Sequence, residues 1–435
     1  MTKEELKQQV CVAIDKRHDD ILALGQSIWE EPELGYKEQK TSAKVQDQFS
    51  KLNIPYTTGW GITGVKGLLK GRKSNRTVAM LGELDAIVCR NHPAAEAGTG
   101  AAHCCGHNVQ ISNLVAVAMG LQESGAMNYL DGNVVLFAVP AEEYVEIDYR
   151  DKLRAAGKIK YLGGKAEIIA QGGFDEVDMA VQMHVSATDN RHGDFRYGGT
   201  CNGFIGKLVE YKGKAAHAAG APDQGINALN AAIMGIMGVN AIRETFKEAD
   251  CVRFHPIITS GGDLVNVIPD RVTMESYVRA SSIKALQHYN KTVNRALRAG
   301  ADAIGATVEI RDLPGYLPMV RHEKMNDILR DNAVVLFGEE NVISGQHSAG
   351  STDMGDLCHL MPVVHPWVGC VTGVLHGEDY ELADETTAYF KTSKVLAMTI
   401  IDLLYDDAQG AEDVLANDKP VLTKTEYLDY MESIK

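Results

Sequence analysis

Two hydrophobic rhythms divide this chain. Over residues 4–30 and 38–52 apolar side chains recur at helical spacing, and Pro32-Glu-Leu-Gly35 separates the two predicted helices. Residues 65–69 and 77–83 read as strands, and residues 133–139 form an almost wholly apolar run, the pattern of a strand buried on both faces. Helical spacing returns over 111–121 and 164–171, and 177–183 reads as another buried strand that ends at His184. Strands alternating with helices predict an α/β fold around a mostly parallel sheet.

The rhythm changes near residue 203. Strands over 203–211, 252–259, 271–280 and 307–313, with helices over 225–246 and 282–303, give the order βαββαβ of a small ferredoxin-like domain. After Pro318 the first pattern resumes, with a helix over 322–337, a strand near 363–371 and a helix over 386–405. The expected organisation is therefore a first domain in two parts, residues 1–200 and 317–435, interrupted by a second over 201–316. Gly59-Trp60-Gly61-Ile62-Thr63-Gly64 fits the dinucleotide pattern GxGxxG, but that pattern must follow a strand and open a helix. Here a strand follows, so these glycines are read as a turn and a nicotinamide enzyme is disfavoured.

Composition narrows the function. A formal charge of −15 over 435 residues argues against nucleic acid and anionic membrane as partners. No apolar run spans a bilayer, and the charged start Met1-Thr-Lys-Glu-Glu-Leu-Lys lacks a signal core. Eight cysteines scattered over such a length are no disulfide framework, so a reducing, cytoplasmic setting is expected.

The densest chemistry lies at His103-Cys104-Cys105-Gly106-His107-Asn108. Here a Cys-x-His spacing can aim a thiol and an imidazole at one metal, and Asn108 can cap the helix that follows. Asp85, Glu142, Glu143 and His184 each lie just beyond a predicted strand, on the sheet edge where open α/β folds gather ligands. A thiolate, imidazoles and carboxylates together suit Zn²⁺, and Mn²⁺ or Co²⁺ less selectively. Adjacent Glu142 and Glu143 diverge at a strand end, so one can ligate while the other acts as a general base.

The segments Pro32-Glu-Leu-Gly35, Gly82-Glu-Leu-Asp-Ala86, Cys105-Gly-His-Asn108, Pro140-Ala-Glu-Glu143, Met183-His184, Gly213-Lys-Ala-Ala-His217, Asn266-Val-Ile-Pro269 and Gly350-Ser-Thr-Asp353 run across nearly the whole chain. In this order and at these separations they resemble the two-metal aminoacylase and carboxypeptidase family. The closer likeness is to its amidohydrolase branch, toward p-aminobenzoyl-glutamate hydrolase-like proteins. The resemblance implies two divalent ions per subunit, Zn²⁺ or Mn²⁺, held by Cys105, His107, Glu143, His184 and a late histidine. Among His347, His359, His365 and His376, the last fits best, ahead of Ala383-Asp384-Glu385. It further implies Glu142 as catalytic base and Asp85 as the acid that orients a ligand. The second domain becomes a lid that dimerises and sends His217 to the partner's oxyanion. Asn266 and Arg279 become substrate-binding groups, although Arg279 also reads as an outward residue of an amphipathic strand.

Departures are Cys104 beside Cys105, which leaves two thiols to choose from, Gly377 after His376, and the Ala-Ala-Gly-Ala-Pro222 loop after His217. The expected activity is hydrolysis of the amide bond of N-acyl or N-aminoacyl amino acids, p-aminobenzoyl-glutamate-like conjugates or dipeptides, by a homodimer. The rival expectation is a relative that binds metal or a small ligand without catalysis.

Overall fold

The computed structural model describes residues 1–187 and 194–434. The chain divides into two compact units. The first comprises Met1–Thr200, Val320–Gln346 and Asp356–Lys424; the second comprises Cys201–Met319, His347–Gly355 and the segment from Thr425 on.

The first unit is built on a six-stranded sheet ordered Tyr56–Trp60, Gly64–Leu69, Gly132–Val139, Arg76–Glu83, Met179–Val181, Val363–Val364. The first two junctions are antiparallel and the last three parallel. The sheet is thus mixed, which corrects the mostly parallel expectation. The cause is local. The glycines of residues 59–64 close a tight hairpin, Gly59 and Gly61 at φ +87° and +50°, and a connection this short can only join antiparallel strands. No helix follows these glycines, so they form no dinucleotide loop.

Two other expected strands are each split. The run over 177–183 pairs in the main sheet only through Val181, and His184–Ala187 then joins a different sheet, beside Trp367–Thr372. The run over 363–371 is cut likewise at His365-Pro366. His184 therefore opens a strand instead of ending one. The predicted helix over 4–30 is two helices, Lys3–Lys16 and His18–Trp29.

Helix His107–Glu123 is buried on every side through Leu121, so it is a core element rather than an amphipathic surface helix. It packs against strand Arg76–Glu83, where Gly82 permits the approach: a Cβ there would meet the Gln110 carbonyl oxygen at 3.0 Å. Its N-cap is Gly106 at φ +81°, not Asn108, whose amide reaches the Tyr389 hydroxyl at 3.4 Å.

In the second unit Arg253–Ser260, Arg271–Ala280, Gly203–Lys212 and Thr307–Pro314 form a wholly antiparallel sheet in that order. Strand Arg271–Ala280 alternates buried and partly exposed residues over most of its length, as a half-covered sheet requires. Helices Ala228–Ile242 and Ile283–Ile304, capped by the Asn227 and Ser282 side chains, share its core through Ala231, Val239, Leu286, Val293 and Leu297. This is the βαββαβ topology read from the pattern.

Candidate metal centre

Strand Arg76–Glu83 delivers Leu84-Asp85, strand Gly132–Val139 delivers Pro140-Ala-Glu142-Glu143, and the turn before helix His107–Glu123 delivers Cys105 and His107. Their meeting point is the buried Asp85. Its Oδ1 accepts the Glu142 backbone N–H at 3.1 Å and its Oδ2 that of Glu143 at 2.9 Å, so one carboxylate sets the position of both glutamates. Ala141 just before them sits at φ +55°, a conformation that costs a residue with a side chain free energy. It is held there by Glu38 Oε1, which accepts the Ala141 N–H at 2.8 Å, and by the buried Arg150, which donates to the carbonyls of Ala141, Leu162 and Glu143. Arg150 needs Gly35 as a neighbour, since a Cβ there would stand 2.2 Å from its guanidinium. The Pro32-Glu-Leu-Gly35 segment thereby supports the glutamate turn.

Two donor triads share one thiol: Cys105, His107 and His184, and Cys105, Glu143 and His376, the ligand atoms of each lying within 4.8 Å of one another. Cys105 Sγ is 3.4 Å from His184 Nε2 and 3.2 Å from His376 Nε2, and His376 Nε2 is 3.1 Å from Glu143 Oε1. A carbonyl oxygen can only accept, so the contacts of His107 Nδ1 with Asp85 O and of His184 Nδ1 with Val185 O, both 2.8 Å, place a proton on Nδ1. Nε2 of each ring is thereby left for coordination.

Cys104 is not the thiol at this point. Its side chain lies against Cys89, and its carbonyl oxygen accepts the N–H of His376, itself at φ +64°. Of the other late histidines, His365 lies in the strand break beside the His184 ring, with 5.9 Å between centroids, and His347 belongs to the second unit.

The electrostatics match the donor set. Burial and the Glu143 carboxylate push the Cys105 thiol up, yet His184, His107 and His376 outweigh them and bring it down to about 6. Burial raises Glu143 as well, but His376 and His107 hold it at about 2. Glu143 in turn lifts His376 to about 11 against its own desolvation. Sulfur and carboxylate are thus already in the ionised form that a metal takes. His107 Nε2 and Glu143 Oε1 are buried without a hydrogen bond of proper geometry, a deficit that divalent ions would remove. The residues fit such ions.

Asp85, Glu142, Glu143, Cys105, His107, His184 and His376 all belong to the first unit. His217, Asn266 and Arg279 belong to the second. The first two of these lie on facing segments: His217 bridges Val267, and Ala218 N–H donates to Asn266 O at 3.0 Å. Arg279 is held by His255 Nε2 at 3.2 Å and Ser351 Oγ at 3.0 Å, with the Phe204 and Tyr277 rings 5.6 and 5.7 Å away. Ser351 comes from the Gly350-Ser-Thr-Asp353 segment, which gives that segment a structural partner.

Sequence reading missed Glu83, Glu38, Arg150 and Lys165, all buried. The signal for Glu83 was present, a second carboxylate in Gly82-Glu-Leu-Asp85, two residues before Asp85 and hence on the same side of an extended chain.

A sequence profile of the peptidase family M20/M25/M40 matches residues 80–402, most of the chain and every residue of the first-unit cluster. The chain belongs to this family. Among M20 relatives, a mouse (Mus musculus) Xaa-Arg dipeptidase is 29% identical over 431 residues, covering 93% of this chain and 90% of its own length. An IAA-amino acid hydrolase of Arabidopsis thaliana is 27% identical over 367 residues, covering 81% and 77%. Of solved structures, a dinuclear metal binding M20 peptidase of Bacillus subtilis superposes with TM-score 0.67 at 23% identity, covering 90% of this chain and 99% of that one. An aminobenzoyl-glutamate utilization protein of Klebsiella pneumoniae gives 0.68 at 19%, covering 91% and 98%. This M20 chain is a metal-dependent hydrolase acting on amide bonds of small substrates. Among its described residues no helix is long and apolar enough to cross a membrane.

Proposed function

We propose that this M20 hydrolase cleaves the amide bond between an acyl or aminoacyl group and an amino acid, with two divalent ions, Zn²⁺ or Mn²⁺, per subunit. The observation that carries the reading is the pair of triads meeting at Cys105, with a further carboxylate, Glu142, fixed beside them by Asp85. Bound there, the ions supply a Lewis acid and acidify water. Glu142 takes the proton of the attacking water and passes it to the leaving nitrogen. His217 donates to the oxyanion, the Asn266 amide holds the substrate carbonyl, and the Arg279 fork takes the carboxylate of the amino acid. Two relatives are named as a dipeptidase and an IAA-amino acid hydrolase, and both substrate types fall in this class.

The reading includes a cytoplasmic homodimer paired through the second unit. In support, Arg253–Ser260 is an edge strand carrying exposed Ile257 and Ile258, and helix Ala228–Ile242 exposes Met234 and Met237. In keeping with a reducing setting, all eight cysteines are unpaired.

A panel of N-acyl amino acids and dipeptides, assayed after loading with Zn²⁺ or Mn²⁺, tests the substrate class. Turnover of at least one panel member is expected, and loaded protein that cleaves none overturns the reading. Elemental analysis of gently purified protein is expected to give up to two divalent ions per chain. Cys105→Ser should weaken both sites because both triads use that sulfur, and His107→Ala should empty one. Full occupancy in both variants would remove the assignment.

A further inference from the structure

Three consecutive backbone N–H groups, those of Ala141, Glu142 and Glu143, are taken by two buried carboxylates from distant parts of the chain. Asp85 accepts the second and third at 3.1 and 2.9 Å, and Glu38 Oε1 accepts the first at 2.8 Å. Glu38 is the N-cap residue of helix Gln39–Lys51, yet its side chain caps nothing there and turns to Ala141 instead. Its Oε2 accepts the Thr63 hydroxyl at 2.7 Å, and the Thr63 carbonyl accepts the Ser42 hydroxyl at 2.6 Å. Glu38, Ser42 and Thr63 are all buried, so the carboxylate has no solvent to swing into. Thr63 belongs to the glycine-rich turn over residues 59–64, and that turn is what aims Glu38.

Ala141 needs this support because φ +55° is a left-handed conformation that disfavours a Cβ. Its surroundings leave little slack. The Ala141 carbonyl accepts from Gly164 N–H at 3.1 Å and from Arg150 Nη1 at 3.2 Å. Gly164 packs so closely that a Cβ there would collide with the Pro140 carbonyl. The Ala141 N–H lies in the planar peptide that joins it to Pro140, so the bond to Glu38 fixes how that plane is turned about φ. Burial and the Asp85 carboxylate raise Glu38 to about 7. Both of its forms fit the place, since the acid still accepts the Ala141 N–H on one oxygen while its hydroxyl donates to Thr63 Oγ1.

We propose that Glu38 is a positioning residue for Glu142, holding Ala141 in the left-handed conformation from which the general base is presented. This inference rests on the reading of Glu142 as the base. Glu143 is held separately, its N–H by Asp85 and its carbonyl by Arg150, so the ligand side of the turn does not depend on Glu38. Loss of the Glu38 oxygen therefore acts on proton transfer, and not on the metals or on substrate binding.

The test uses Glu38→Ala, Glu38→Gln, and Glu38→Ala combined with Ala141→Gly, since glycine takes a positive φ freely. Each variant is melted, its metal content is measured after loading with Zn²⁺ or Mn²⁺, and kcat and KM are followed with the N-acyl amino acid or dipeptide that wild type cleaves fastest. Glu38→Ala is expected to lose about 10²-fold in kcat, the effect of a reacting group displaced by about 1 Å, with KM and metal content as in wild type. Glu38→Gln should recover most of that loss, because its amide oxygen can accept the Ala141 N–H and its NH₂ can donate to Thr63. Adding Ala141→Gly to Glu38→Ala should restore about 10-fold, by removing the left-handed penalty. Should Glu38→Ala be too unstable to assay, Glu38→Asp, which withdraws the oxygen, takes its place with and without Ala141→Gly. Wild-type kcat in the shortened variant overturns the inference, as does a loss carried by KM, shared by Glu38→Gln, untouched by Ala141→Gly or accompanied by loss of metal. Normal turnover by Glu142→Gln overturns the base reading instead, and wild type that cleaves no panel substrate overturns the proposed function.

Discussion

Replacing Glu142 by glutamine is expected to lower turnover by about 10²–10⁴-fold while the protein keeps its metal. The amide has the shape of the carboxylate, and Asp85 holds residue 142 through its backbone N–H, so the turn survives the change. What is lost is the capacity to take a proton. The prediction discriminates, because Glu142 also lies within 4.8 Å of Glu83 and His107 ligand atoms and so could itself ligate. Metal content measured alongside kcat decides: loss of activity with full metal identifies a base, parallel loss of both identifies a ligand, and near-normal turnover removes Glu142 from the chemistry.

The second large effect concerns His217. Its Nδ1 accepts the N–H groups of Ala219 at 3.2 Å and Gly220 at 3.0 Å, which places the ring proton of the neutral form on Nε2 and makes that atom a donor. If that donor serves an oxyanion, His217→Ala should lose about 2.7–4 kcal/mol of transition-state stabilisation. The loss should fall on kcat, since the oxyanion exists only at the transition state. Mixing with Glu142→Gln asks where the donor acts. In a dimer of one chain of each kind, donation across subunits leaves one site with both defects and the other with neither. About half of wild-type activity should then return, by that arithmetic. Mixed dimers as inactive as their parents would place the action of His217 within its own chain, and a near-normal single variant would leave it no role.

The parts of the fold that the chain announced are those where one local rule dominates. Residues 133–139 had only one reading, because a run that apolar must be covered on both faces. The βαββαβ unit was legible because its strands and helices keep clean periods. What escaped notice depends on partners far away in sequence. The run over 177–183 looks continuous, yet the chain changes sheets between Val181 and His184. The antiparallel half of the main sheet follows from a two-strand hairpin whose first member, Tyr56–Trp60, is mostly exposed and has no apolar alternation. In the metal centre the five expected donors converge because each stands next to a break in the pattern. Glu83 is the last residue of its strand, and its partners Gln110, Lys165 and Gln182 are spread over the next hundred positions, where single polar residues in apolar surroundings carry no sign of whom they face.

The wide spacing of the two triads also imposes a schedule on biosynthesis. Cys105 and His184 are 79 positions apart, whereas Cys105 and His376 are 271 apart. At about 5–20 residues per second, a ribosome needs about 4–16 s to make the first span and about 14–54 s for the second. The bridging thiol therefore exists well before its last partner. The His184 strand likewise waits for its neighbour Trp367–Thr372, so neither triad has its full setting until the last quarter of the chain is made. Were two ions to bind at these triads, synthesis itself would hold their capture back to its final stage.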